Sequence, residues 1–167
     1  MKHLILFILM TESLFSCGSS TDFCNRKEAK YVLGNFSREY TGLDTLIRTD
    51  GYYYHEDNTG LLHGPIIMSK NGEFQTHYAI LKSHNQIQEW LRKYDSQKGK
   101  GSYILSGDTI TVKWAMLFQF NCYNVFSGQY IIENDTTLRL IWQESRNSQR
   151  NPVRNEIYKF YKYPVND

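Results

Sequence analysis

The chain has 167 residues and carries 19 Lys+Arg against 17 Asp+Glu, a formal charge of +2, with 41% hydrophobic and 15% aromatic residues. That near balance supplies no basic field of the kind on which nucleic-acid binding rests. The length is one domain's worth, and no linker divides it.

The first segment reads as an address, not a fold element. Lys2 and His3 make a short cationic head, and residues 4–10 form an apolar run too short to span a bilayer. Leu14-Phe15-Ser16-Cys17 closes the segment. This tetrapeptide resembles the bacterial lipobox, in which the cysteine thiol receives a diacylglyceryl group, the chain is cut before it, and the new amino terminus is acylated. The resemblance implies a signal peptide over residues 1–16 and a Cys17 carrying palmitate-type chains. It divides the rest into a lipidated cysteine and polar tether, 17–25, and one folded domain, 26–167. Each buried methylene contributes about 0.8 kcal/mol, so two or three such chains hold a protein firmly on a membrane. Gly18 follows the cysteine. In the lipoproteins this resembles, that choice goes with the outer membrane, facing the periplasm. An ordinary cleaved signal with an incidental cysteine is the alternative.

Cys24 and Cys122 remain, and an envelope compartment permits disulfides. A bridge between them would close a loop of about 100 residues and contribute up to about 4.7 kcal/mol. The alternative is a buried free thiol at Cys122, behaving as a small hydrophobe, and an exposed Cys24.

Residues 26–36 can form a short helix around Ala29, Val32 and Leu33. After Gly42 the character changes. Tyr52-Tyr53-Tyr54, Ile66-Ile67-Met68 and the stretch 74–81 are rich in β-branched and aromatic residues, and turn residues separate them. Asn71-Gly72 predicts a type I′ hairpin whose flanking strands pair directly. Ser83 and Gln86 have capping-box spacing, while Ile87, Trp90, Leu91 and Tyr94 recur at one helical face, predicting a helix over 85–94.

From Gly101 the chain nearly repeats itself. Gly101-Ser102-Tyr103, the corner Gly107-Asp108 and a strand alternating toward Trp114 are echoed by Gly128-Gln129-Tyr130, the corner Asn134-Asp135 and a strand toward Trp142, with one extra residue at the second turn. Two successive hairpins of an antiparallel meander follow. Ile110, Val112, Trp114, Met116, Phe118, Phe120 and Cys122 share one parity. A strand that long must bend, which suits a barrel. A final strand is expected over 156–163. Closure of about eight strands would remove the exposed edges of an open meander. The expected fold is all-β, an antiparallel up-and-down barrel with one or two short helices. The glycine-tyrosine hairpin pattern and the strand count over residues 51–163 resemble the bacterial lipocalin-like lipoproteins.

A barrel of eight strands is just wide enough to be filled by side chains or to hold one small ligand. Thirteen tyrosines and nine phenylalanines suit either outcome. A pocket would be lined by Trp114, Met116 and Phe118, with Tyr103, Tyr130 and Trp142 nearby. His55-Glu56-Asp57, with His63 and His77 elsewhere, offers residue types for a metal or an acid-base pair, but no ligand spacing. His55 and Glu56 should point to opposite faces, leaving a polar strand end, and His77 should face solvent.

Asp44-Thr45-Leu46, Asp108-Thr109-Ile110 and Asp135-Thr136-Thr137 resemble a sequon for envelope O-glycosylation, although turn chemistry explains them without sugar. Arg146, Arg150 and Arg154 lie in a polar loop. No nucleophile elbow, phosphate loop or paired-cysteine motif is present, so neither a catalytic residue, a metal nor a cofactor is assigned. The expected function is binding of a small apolar or amphipathic ligand by a membrane-anchored barrel. The competing expectation is a solid barrel that docks onto another envelope protein.

Overall fold

The computed structural model describes residues 29–30, 32, 42–77, 79–93, 99–118, 122–145 and 155–163. Among these residues nine strands follow a short 3-10 turn (Leu43–Thr45): β1 (Gly51–Glu56), β2 (Leu62–Met68), β3 (Glu73–Thr76), β4 (Ile80–Leu81), β5 (Gly99–Ser106), β6 (Thr109–Phe118), β7 (Cys122–Asn134), β8 (Thr137–Ser145) and β9 (Glu156–Lys162). Between β4 and β5 lies helix α1 (His84–Lys93). All pairings are antiparallel. Eight strands pair in the order β1-β9-β8-β7-β6-β5-β3-β2, and β2 returns to β1, so the sheet closes on itself; β4 is an extra strand beside β2. This is the expected lipocalin-like barrel.

The near-repeat becomes the β5–β6 and β7–β8 hairpins. Ser106 faces Thr109 across a two-residue corner in which Gly107 takes a φ of 62°. The extra residue of the second copy is absorbed as an irregularity between Ile132 and Asn134. The long strand is shorter than its parity suggests. β6 ends at Phe118, and Cys122 sits opposite it as the first residue of β7. The Asn71-Gly72 hairpin pairs directly, Met68 against Phe74, and Ser69 N–H donates to Glu73 O across a three-residue loop, 70–72. There Gly72 N–H donates to Ser69 O, and Gly72 takes the left-handed φ of 84°.

Inward-facing Tyr53, Ile66, Met68, Phe74, Val112, Leu138 and their neighbours form one buried core. One barrel end is plugged. Leu43 and Ile47 from the segment before β1 are buried in that core, Arg48 N–H donates to Asp135 O, and the Tyr53 hydroxyl donates to the carbonyls of Arg48 and Asp135. The Tyr103 hydroxyl donates to Ser69 O at 2.7 Å, stitching the β2–β3 turn to the same end.

The outer wall is covered twice. Ala29 and Val32, both helical, pack on Ala115 and Val125. Helix α1 lays Ile87 and Leu91 on Tyr52, Leu62 and Tyr161, the outward side of β1, β2 and β9. Its start follows the capping expectation with a shift of one residue. Gln86 N–H donates to Ser83 Oγ, while Gln86 Oε1 accepts from Lys82 N rather than from Ser83 N.

Candidate functional site: the open end of the barrel

Opposite the plug, the barrel encloses a cavity of about 500 Å³. Its deep part is apolar, formed by Ile66, Trp114, Met116 and Phe126. Trp114 is 4% exposed, lies parallel to Phe126 at 5.2 Å between ring centres, and tilts against Phe74 at 5.3 Å. Room for the indole comes from glycines on both flanking strands. A side chain on Gly99 would meet Trp114 Cδ1 at 2.9 Å, and one on Gly128 would meet its Cζ3 at 3.5 Å. Tyr130, 2% exposed, also lines the cavity, and burial raises its phenol pKa well above the ordinary value, so the ring stays neutral.

The mouth is polar. His55 on β1 faces His63 on β2 across the pair, with ring centres 5.7 Å apart. Asp57 joins them through the turn. Asp57 N–H donates to Leu61 O, Gly60 N–H donates to Asp57 O, and Gly60 has a φ of 78°, so the chain reverses within five residues. The Asp57 carboxylate accepts from His63 Nε2 at 2.7 Å, from Thr59 N–H at 2.8 Å, from the Thr59 hydroxyl at 2.6 Å and from Leu61 N–H at 3.1 Å. The His63 bond first, and the Thr59 bond next, hold its pKa far below the ordinary carboxylate value. His55 Nδ1 lies 3.0 Å from Ile157 O. Gln143, Ser145 and Glu156 complete the rim from β8 and β9.

A depressed folded pKa means that the native state binds fewer protons than the unfolded chain. Asp57 therefore contributes stability that is present above about pH 4 and lost as pH falls toward its lower folded value. Urea midpoints measured at neutral pH and at about pH 3 are expected to fall further for the natural chain than for Asp57→Asn. Equal falls would remove the Asp57 turn from the acid response.

Of the residues expected to line a pocket, Trp114, Met116 and Tyr130 do so. Tyr103 is buried in the core toward the plugged end. Trp142 faces outward. Between Gln129 and Tyr130 the register on β8 skips Ile141, and this bulge turns the indole to the outer wall, where Nε1–H donates to Gln129 Oε1 at 3.0 Å. The side chains of Phe118 and Cys122 lie outside the described residues, as do Cys17, Cys24, Phe120, Tyr94 and the arginines 146, 150 and 154.

His77 is not at the solvent. It is 1% exposed and meets the Trp90 ring edge-on at 4.6 Å, because α1 covers the wall where parity alone would place water. The Asp-Thr corners carry local turn bonds. Thr45 Oγ1 donates to Gly42 O, Thr109 Oγ1 to Asp108 Oδ1 and Thr136 Oγ1 to Asn134 Oδ1. Glu56 is exposed beside the inward His55, as alternation requires. Sequence alone missed the conjunction of His55, Asp57 and His63. Its signal was the Asp57-Asn58-Thr59-Gly60 turn, which sets the two histidines opposite each other once it is read as a hairpin. Among the described residues, no group of three or more His, Cys, Asp or Glu side chains is placed to hold a metal ion. No helix among them is long and apolar enough to cross a membrane.

Compared with protein-family models, curated proteins and solved structures, the chain matches no family model, no curated protein and no solved structure.

Proposed function

We propose that this is a lipid-anchored envelope protein whose barrel binds one small amphipathic molecule. The observation that carries the binding role is the cavity of about 500 Å³, closed at one barrel end, apolar in its depth and polar at its mouth. Cavities of this size with apolar walls and a few convergent polar groups are the usual form of small-ligand sites. An apolar body on Trp114, Met116 and Phe126 would be held by desolvation, and a polar end would sit among the histidines. The anchor rests on the lipobox-like Leu14-Phe15-Ser16-Cys17. It would confine the barrel to a membrane surface, where amphipathic molecules concentrate.

Native mass spectrometry of the Cys17→Ser chain, purified from its own envelope without detergent, tests the binding role. The expected result is an extractable small molecule near one-to-one occupancy. A bare mass, together with chemical cross-linking to a defined envelope protein that survives cavity mutations, would replace the carrier with a docking subunit. The anchor has its own test. Intact mass of the natural chain should show acyl chains on Cys17, and Cys17→Ser should release the protein from membranes.

A further inference from the structure

The hydrogen bonds at the mouth determine which kind of polar end the cavity accepts. A neutral imidazole carries one N–H and one lone pair, and the bond made by one nitrogen decides the role of the other. His55 Nδ1 faces a carbonyl oxygen, which can only accept, so Nδ1 carries the proton and Nε2 keeps its lone pair. His63 Nε2 faces the Asp57 carboxylate, which three further donors from Thr59 and Leu61 hold in its acceptor-only form. Nε2 therefore carries the proton of the neutral ring, leaving the lone pair on Nδ1. Both tautomers are set by groups of the fold, and both rings line the cavity. Glu156, paired with the inward Leu140, lines it as well, and among the described lining residues there is no lysine or arginine.

We infer that the mouth of the barrel selects ligands whose polar end donates hydrogen bonds, an alcohol or an amine, over ligands that end in a carboxylate. A hydroxyl or ammonium end would place its protons on His55 Nε2 and His63 Nδ1. A carboxylate would set its lone pairs against theirs and beside the Glu156 carboxylate, and at the rim would meet only the neutral donors of Gln143 and Ser145, with no cation to offset its desolvation. The inference rests on the cavity being a ligand site and adds to it the chemistry of the ligand's end.

The test uses three probes with one apolar chain and different ends, decanol, decylamine and decanoate. Their binding to the folded Cys17→Ser chain is followed by tryptophan fluorescence. Decanol and decylamine are expected to bind at least about tenfold more tightly than decanoate, as expected when buried acceptors meet donors rather than acceptors. His55→Leu and His63→Leu should each shrink that ratio. Decanoate binding as tightly as the other two, or more tightly, would overturn the end-group preference and leave the cavity reading intact. If none of the three binds, the ligand site fails and the preference with it. The probe comparison on the natural mouth decides the matter even where a histidine variant does not fold.

Discussion

Trp114→Ala should lower the unfolding free energy by about 3–5 kcal/mol, the usual range for truncating a large buried aromatic. The indole is the pivot of the barrel's middle, 4% exposed and packed between Phe126 and Phe74. The glycines that make its slot cannot close over a missing ring, because Gly99, Gly101 and Gly128 carry no side chains to move inward. The truncation should therefore enlarge the cavity rather than collapse it. Urea unfolding by circular dichroism gives the stability change, and probe binding to the still-folded fraction gives the functional one. A loss below about 1 kcal/mol would show that the neighbouring strands repack, and the slot would no longer explain the glycine pattern.

Gly101→Ala should be comparably damaging for the opposite reason. Gly101 pairs with Trp114 across β5 and β6, and a methyl there would collide with the Lys113 carbonyl oxygen and with Trp114 Cβ at 2.5 Å. The first of these is backbone in the middle of a ladder. It yields only if the strand pair moves apart, so the cost should reach or exceed the upper part of the 1–3 kcal/mol usual for overpacking, about 3 kcal/mol. Gly107→Ala is the matched control. Nothing lies within 4 Å of its added carbon, and only its φ of 62° resists substitution, which costs about 1–2 kcal/mol. Thermal melts of the two variants should therefore separate clearly, with Gly101→Ala the lower. Equal melting points would mean that the closure at Gly101 is soft.

Local chemistry along the sequence determined most of the strands, although the stretch 74–81 divides into β3 and the extra strand β4. Alternation across residues 109–116 predicts which side of β6 faces inward, and Ile110, Val112, Trp114 and Met116 are all buried. The Gly107-Asp108 corner marks a hairpin because a tight reversal needs a residue that tolerates positive φ. Closure was legible because about eight strands joined mostly by tight turns leave two edges that must pair with something, and they pair with each other.

Alternation fails where the ladder is interrupted or where a distant element covers a wall. Trp142 shares the parity of Leu138 and Leu140, yet the bulge at Ile141 turns it outward, and a bulge depends on how two strands twist past each other. His77 lies on the outward parity, yet α1 brings Trp90 over it. The open end was the least legible part. His55, Asp57 and His63 form a site only because β1 and β2 pair in one register and their turn points the carboxylate back at a ring. Residue types and turns are properties of neighbours along the chain, so the sequence by itself determined an all-β barrel and part of its lining, Trp114, Met116 and Tyr130. Which side chains share the cavity, and which lone pairs they present to it, depends on contacts between residues far apart in the chain, and only the tertiary structure decided those.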